Sequence, residues 1–205
     1  MAGRILTLGH STLDIDSFVG LCQSAGIDAI ADVRSVPYSR MAPQHNRETI
    51  RTSFEGRGLA YVYMGNLLGG RPTRPSLFNS SGRADYVAMR QSSEFMEGIA
   101  RIRKGLEQFN IGLMCGEEDP VTCHRALLIA PALAAIGLPP THLRKGGRLE
   151  SHRQFEDRLL EANGVELSQG DLFLDRQTLV EQAIESMADR HAYRSGLSPN
   201  DQASE

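Results

Sequence analysis

One short stretch crowds thiol, imidazole and carboxylate groups together: Cys115-Gly116-Glu117-Glu118-Asp119-Pro120, then Cys123-His124-Arg125. A cysteine at a helix start among cations ionises more readily than a free thiol, so Cys115 and Cys123 are candidate nucleophiles, and Cys115 a candidate substrate contact. By type they are also metal ligands, and a histidine from another loop could complete a site. Their separation of eight residues is not that of a zinc knuckle or ribbon, and sequence neighbours such as Cys123 and His124 rarely face one ion together. Zinc is therefore not favoured, a divalent metal stays open, and a small buried hydrophobe is the bland reading of either cysteine. His10 titrates intrinsically in the range useful for a general acid or base. Asp32 could orient a histidine or hold a metal ion, with Glu117 a second carboxylate and His124 a further catalytic candidate. Arg34, Arg40, Arg71 and Arg125 carry forked guanidinium groups suited to phosphate. Converging, they would cradle an anion; otherwise each caps a carbonyl or pairs with Asp32, Glu117 or Glu118.

These residues share a place in the pattern of elements. Apolar runs at 4–8, 28–33, 59–64, 110–115 and 140–143 read as strands, and helical periodicity fills the gaps between them. A helix capped by Ser11 or Thr12 ends at Gly26. Another covers about 46–55, a long one covers about 85–108 with a break near 91–93 or at Gly98, and a third covers about 122–136. Pro131 should kink the last, because it removes a hydrogen bond and clashes with the preceding turn. Alternating strands and helices predict an α/β fold: a Rossmann-like three-layer sandwich on a mainly parallel sheet of about five strands. In such a sheet, ligands bind beyond the carboxyl ends of the strands. His10, Arg34, the segment Gly69-Gly70-Arg71, Cys115 and His142 all fall at those ends. Asp32 and Arg34, two apart, should point to one side.

The 205 residues, 40% hydrophobic and 23% charged, suit a globular protein with a real core and exclude a disordered, collagenous or disulfide-rich chain. There is no run of ~20 apolar residues and no apolar leader, so we expect a cytoplasmic protein with no membrane partner. Three cysteines, an odd and sparse set, should then be reduced. Cys22, on an apolar helix face, should be core. Residues 34–125 hold 13 Lys/Arg against 9 Asp/Glu, whereas residues 150–205 hold 5 against 12. The first part thus suits an anionic ligand, and the acidic helices expected at about 150–162 and 175–191 could cover it. The arginine bias, 20 Arg to 2 Lys, also fits a G+C-rich genome. The expected division is a core domain over 1–148, an acidic helical extension over 149–193 and a loose tail over 194–205. No G-x-G-x-x-G, P-loop or G-x-S-x-G elbow occurs.

Four motifs in order, TLGHST at 7–12, DVRSVPYSR at 32–40 with Pro43 and Asn46, LGGR at 68–71 and CGEEDPVTCHR at 115–125, resemble the family called domain of unknown function 488. The resemblance covers about 3–145 and implies a cytosolic α/β, Rossmann-like core without bringing a settled activity. Within the motifs, Ser11, Ser39, Asn46, Gly69 and Gly70 join the arginines as candidate substrate-binding residues. The expectation is an enzyme, a hydrolase or transferase, acting on a phosphate-bearing substrate such as a nucleotide or a nucleic-acid end. The alternative is a non-catalytic nucleotide- or nucleic-acid-binding module.

Overall fold

The computed structural model describes residues 3–40, 42–165 and 175–196. The expected tail therefore lies outside the described residues from position 197 onward. In chain order the elements are β1 (Ile5–Gly9), α1 (Ile15–Ser24), β2 (Ala29–Asp32), α2 (Arg47–Glu55), β3 (Ala60–Tyr63), the single turn α3 (Gly65–Leu68), α4 (Tyr86–Arg90), α5 (Ser93–Gly105), β4 (Ile111–Cys115), α6 (Ala130–Ala135), β5 (Thr141–Leu143), β6 (Leu149–Glu150), α7 (His152–Ala162) and α8 (Arg176–His191). All five expected strands form. They make an open sheet in the order β3-β2-β4-β1-β5-β6, parallel except for β6, which runs antiparallel to β5. The two-residue β6 was not expected, since so short a strand leaves no periodic trace.

Alternation along the strands builds two cores. Leu6, Leu8, Ile30 and Met114 pack with Phe18, Val19 and Cys22 of α1 and Ile50 and Phe54 of α2. Ile5, Val33, Ile111, Leu113 and Cys115 face the other way, onto Phe95 and Ile102 of α5 and Leu133. Phe155 and Leu159 of α7 and Ile184 and Met187 of α8 belong to this second core, so the extension shares its interior with the sheet. Each fully buried Phe or Leu here removes enough apolar surface to contribute about 1.5–3 kcal/mol.

This layering creates a crevice. The helices after β1 and β2 lie on one face, those before and after β4 on the other, and β1 and β4 are neighbours. The chains leaving β1 and β4 therefore diverge to opposite faces, the arrangement that opens a binding crevice in α/β sheets. The two loops first stay close: His10 N–H donates to the Cys115 carbonyl at 3.0 Å and Ser11 N–H to Gly116 at 2.8 Å. Only glycine fits at position 9, where a Cβ would fall 1.7 Å from the Glu117 carbonyl oxygen.

Two local expectations change, and a third is met. Asp14, not Ser11 or Thr12, caps α1, accepting from Ser17 N–H at 2.8 Å, while Ser11 adopts φ 47°, a conformation uncommon outside glycine. The long helix at 85–108 breaks near 91–93, the first of the two expected places, and not at Gly98, because Asp85 and Ser92 each cap a new start. The stretch 122–136 is a 3-10 turn (Pro120–Thr122), a π-helical turn (Arg125–Ile129) and then α6, with Pro131 in the first turn of α6. Wider i→i+5 spacing, as in the bond from Ala130 N–H to Arg125, accommodates the missing proline donor. The Leu127 carbonyl, which a helical residue at 131 would have reached, accepts from Arg90 at 3.4 Å.

Candidate functional site

A cavity of about 460 Å³ opens at the carboxyl edge, over the β1–β4 crevice. Of the residues singled out from sequence, His10, Arg34, Ser39, Gly70, Arg71, Cys115, Glu117, Cys123 and His124 line it. Ser35, Val36, Tyr38, Gly116 and Thr122, which lie within the motifs, line it too, as do His45, Tyr86, His191 and Tyr193, to which no motif pointed.

On one wall, Asp32 is fully buried and grips Arg34 as a fork, Nε to Oδ1 at 2.9 Å and Nη2 to Oδ2 at 2.6 Å. The Tyr61 hydroxyl donates to the same carboxylate at 2.6 Å. Arg34 Nη1 then donates to the His45 carbonyl at 2.8 Å and meets His10 Nε2 at 3.1 Å. His10 Nδ1 is 2.9 Å from the Ser11 carbonyl oxygen, which can only accept, so Nδ1 carries the proton and Nε2 receives from Arg34. The ring stacks on His45 at 4.0 Å. Burial, then the neighbouring His45 and Arg34, outweighs the Ser11 hydrogen bond and lowers the His10 pKa to about 4. His10 is thus a neutral imidazole with both nitrogens engaged. His45, also lowered chiefly by burial, donates from Nε2 to the Leu13 carbonyl at 2.8 Å, and its buried Nδ1 has no partner among the described residues.

The floor is a thiol cluster. Cys115 Sγ and Cys123 Sγ lie 3.0 and 3.2 Å from Glu117 Oε2, and 3.7 and 3.9 Å from His124 Nδ1. His124 Nε2 donates to the Val33 carbonyl at 2.9 Å. The expectation that Cys123 and His124 face apart is corrected here. Cys123 is extended (φ −118°, ψ 137°) and His124 is helical (φ −58°, ψ −27°), and this change of backbone turns both side chains to one side. Its interaction with Cys123, then burial, pushes the Cys115 thiol up. Burial opposes ionisation of Cys123, yet the Cys115 thiol, the Arg125 charge and His124 together pull it below the ordinary thiol range. Burial likewise opposes charging of His124, and Cys123 and Glu117 beside it raise its pKa.

The four arginines part company. Arg71, exposed at the rim, lies over the Tyr193 ring at 5.2 Å, and among the described residues no carboxylate pairs with it. Its backbone N–H is fixed by Ser35 Oγ at 2.9 Å. Arg34 is held as described. Arg125 is completely buried and does not line the cavity; it donates to the Glu117 and Glu118 carbonyls at 2.6 Å each and so shapes the loop. Arg40 is exposed and does not line the cavity. Ser11 and Gly69 do not line the cavity, and Asn46 accepts the Ser39 N–H at 2.7 Å, closing the loop after β2. His142 lies elsewhere, buried against Thr7 Oγ1 at 2.8 Å. Cys22 is core, its thiol pushed up to about 12 by burial.

Segments beyond the motifs complete the site. The loop after β4 is braced by Arg144, bound to Glu118 at 2.9 Å and Glu150 at 2.9 Å, and by Arg158, bound to Asp119 at 2.9 Å. Arg144 first of all holds the Glu118 carboxyl down at about 2. His191 at the end of α8 and Tyr193 reach the rim, where Tyr193 O accepts from Ala84 N–H at 2.8 Å.

Among the described residues no helix is long and apolar enough to cross a membrane. No curated protein and no solved structure matches the chain. One family model does, over residues 14–131, more than half of the chain, a span that includes the loops after β2, β3 and β4 that line the cavity. The chain therefore belongs to the family described as Domain of unknown function DUF488.

Proposed function

We propose that the crevice binds a phosphate-bearing molecule, a nucleotide or a nucleic-acid end, and that the protein is an enzyme acting on it. The observation that carries this reading is the cationic share of the lining: Arg71, with no carboxylate partner among the described residues, Arg34, and His124, whose pKa is raised, line the cavity beside the single lining carboxylate of Glu117. A volume of about 460 Å³ is in the range of small-molecule sites. Arg71, with no carboxylate partner among the described residues, would meet the anion first, and Arg34 would offer its remaining Nη2 proton from a fixed position. Phosphoryl chemistry asks chiefly for positioning and charge neutralisation, which such a wall supplies. Glu117 and the thiol cluster on the floor are the catalytic candidates. His10, with both nitrogens engaged, would hold Arg34 rather than carry protons.

That same engagement of His10 and Arg34 favours a second reading, a non-catalytic binding module. Turnover of nucleoside phosphates and 5′-phosphorylated oligonucleotides, measured beside their binding, separates the two. An enzyme should lose turnover and keep affinity in Glu117→Gln, and lose affinity in Arg71→Gln. Arg71-dependent binding without turnover of any ester would establish the module, and absence of binding would sink both.

A further inference from the structure

The thiol cluster has the makings of a metal site, and nothing in the phosphate reading requires one. We propose that Cys115 Sγ, Cys123 Sγ and His124 Nδ1 bind a zinc ion in the floor of the cavity, with Glu117 beside a fourth, cavity-facing position.

The three donor atoms lie within 4.8 Å of one another. With Zn–S of about 2.3 Å and Zn–N of about 2.0–2.1 Å, a tetrahedral ion sets sulfur and nitrogen roughly 3.6 Å apart. His124 Nδ1 stands at 3.7 and 3.9 Å from the two sulfurs, so slight contraction closes the site. The imidazole is already oriented for it. Its Nε2 donates to the Val33 carbonyl at 2.9 Å, the outer contact typical of a metal-bound histidine, which leaves the Nδ1 lone pair aimed at the thiols. Gly70 lies flush against the ring, where any Cβ would stand 2.8 Å from His124 Cβ and Cγ.

Donor chemistry selects the ion. Two thiolates and an imidazole suit zinc, whereas magnesium and calcium require oxygen. Binding displaces two protons from the cluster, one from Cys115 and one held between Cys123 and His124, and Glu117 Oε2, touching both sulfurs at 3.0 and 3.2 Å, is placed to receive one while the other passes to solvent. Three protein ligands with a fourth position open to a cavity is the pattern of catalytic rather than structural zinc. All three ligands and Glu117 line the cavity.

Cobalt titration of the full chain, reduced and stripped with chelator, tests the site without any substrate, so it stands or falls separately from the phosphate reading. We expect the visible absorption of a tetrahedral ion and a thiolate-to-cobalt charge-transfer band, saturating at one ion per chain and displaced by zinc. Cys22→Ser should keep both features. Cys115→Ser and Cys123→Ser should weaken binding by more than about 100-fold, beyond the loss typical of an outer-shell change. No charge-transfer band, or wild-type affinity with undiminished band intensity in either of those two variants, overturns the proposal. Should the serine variants not fold, wild-type alkylation decides: zinc should protect Cys115 and Cys123 from iodoacetamide, and equal labelling with and without zinc refutes the site.

Discussion

Replacing His10 with Asn should flatten the acid limb of the protein's stability curve. In the fold, His10 is buried and neutral, with its pKa lowered to about 4 from an ordinary 6.5. The unfolded chain takes up a proton near pH 6.5 that the native protein refuses. The stability contributed by this group is therefore complete above pH 6.5 and is lost as pH falls from there toward 4. Linkage over these two values gives a loss of about 2 kcal/mol between pH 7 and pH 5 from this residue alone. His45, His142 and His152 are lowered as well and also contribute to the acid limb of the wild type. The informative quantity is thus the difference between the proteins. Urea unfolding at pH 7 and pH 5 should show the wild type losing about 2 kcal/mol more than His10→Asn. Parallel profiles, or a His10 ring that titrates near 6.5 by NMR, would refute the geometry assigned to His10 and Arg34.

Three further outcomes follow from the site. Arg125→Met leaves the Glu117 and Glu118 carbonyls without their buried donors, and urea stability should fall by about 2–4 kcal/mol; an unmoved midpoint contradicts its role in shaping the loop. Arg71→Gln changes an exposed side chain, so Tm should stay while phosphate affinity drops about tenfold or more, with weaker salt dependence by titration calorimetry. Gly70→Ala drives a methyl group against His124, and should cost about 1–3 kcal/mol in stability and alter the absorption of the cobalt-loaded protein; a spectrum and midpoint like wild type would count against that contact.

Much of this arrangement is legible in the chain because strand ends are. Apolar runs located all five parallel strands, and the rule that ligands bind beyond their carboxyl ends pointed to His10, Arg34, Arg71 and Cys115. Spacing also placed Asp32 and Arg34 on one side, where they form a fork. What escaped has specific causes. His45 looks like any loop residue until its ring stacks on His10. His191 and Tyr193 reach the rim only because α8 packs back on the sheet, a long-range event without a local signature. The pairing of Cys123 with His124 depends on a change of backbone conformation between adjacent residues, which periodicity cannot reveal. Arg125 reads as a ligand-binding arginine by type, yet two carbonyl oxygens claim it.

The most direct test is where phosphate lands. In a ¹H–¹⁵N titration with inorganic phosphate and then a nucleoside monophosphate, we expect saturable shifts at the amides of Ser35, Gly70, Arg71, Gly116 and Tyr193, all on the cavity lining. The shifts should be larger for the nucleotide and absent in Arg71→Gln. No saturable shift, or shifts clustered on a surface remote from His10 and Cys123, would contradict the claim that this crevice is the functional site.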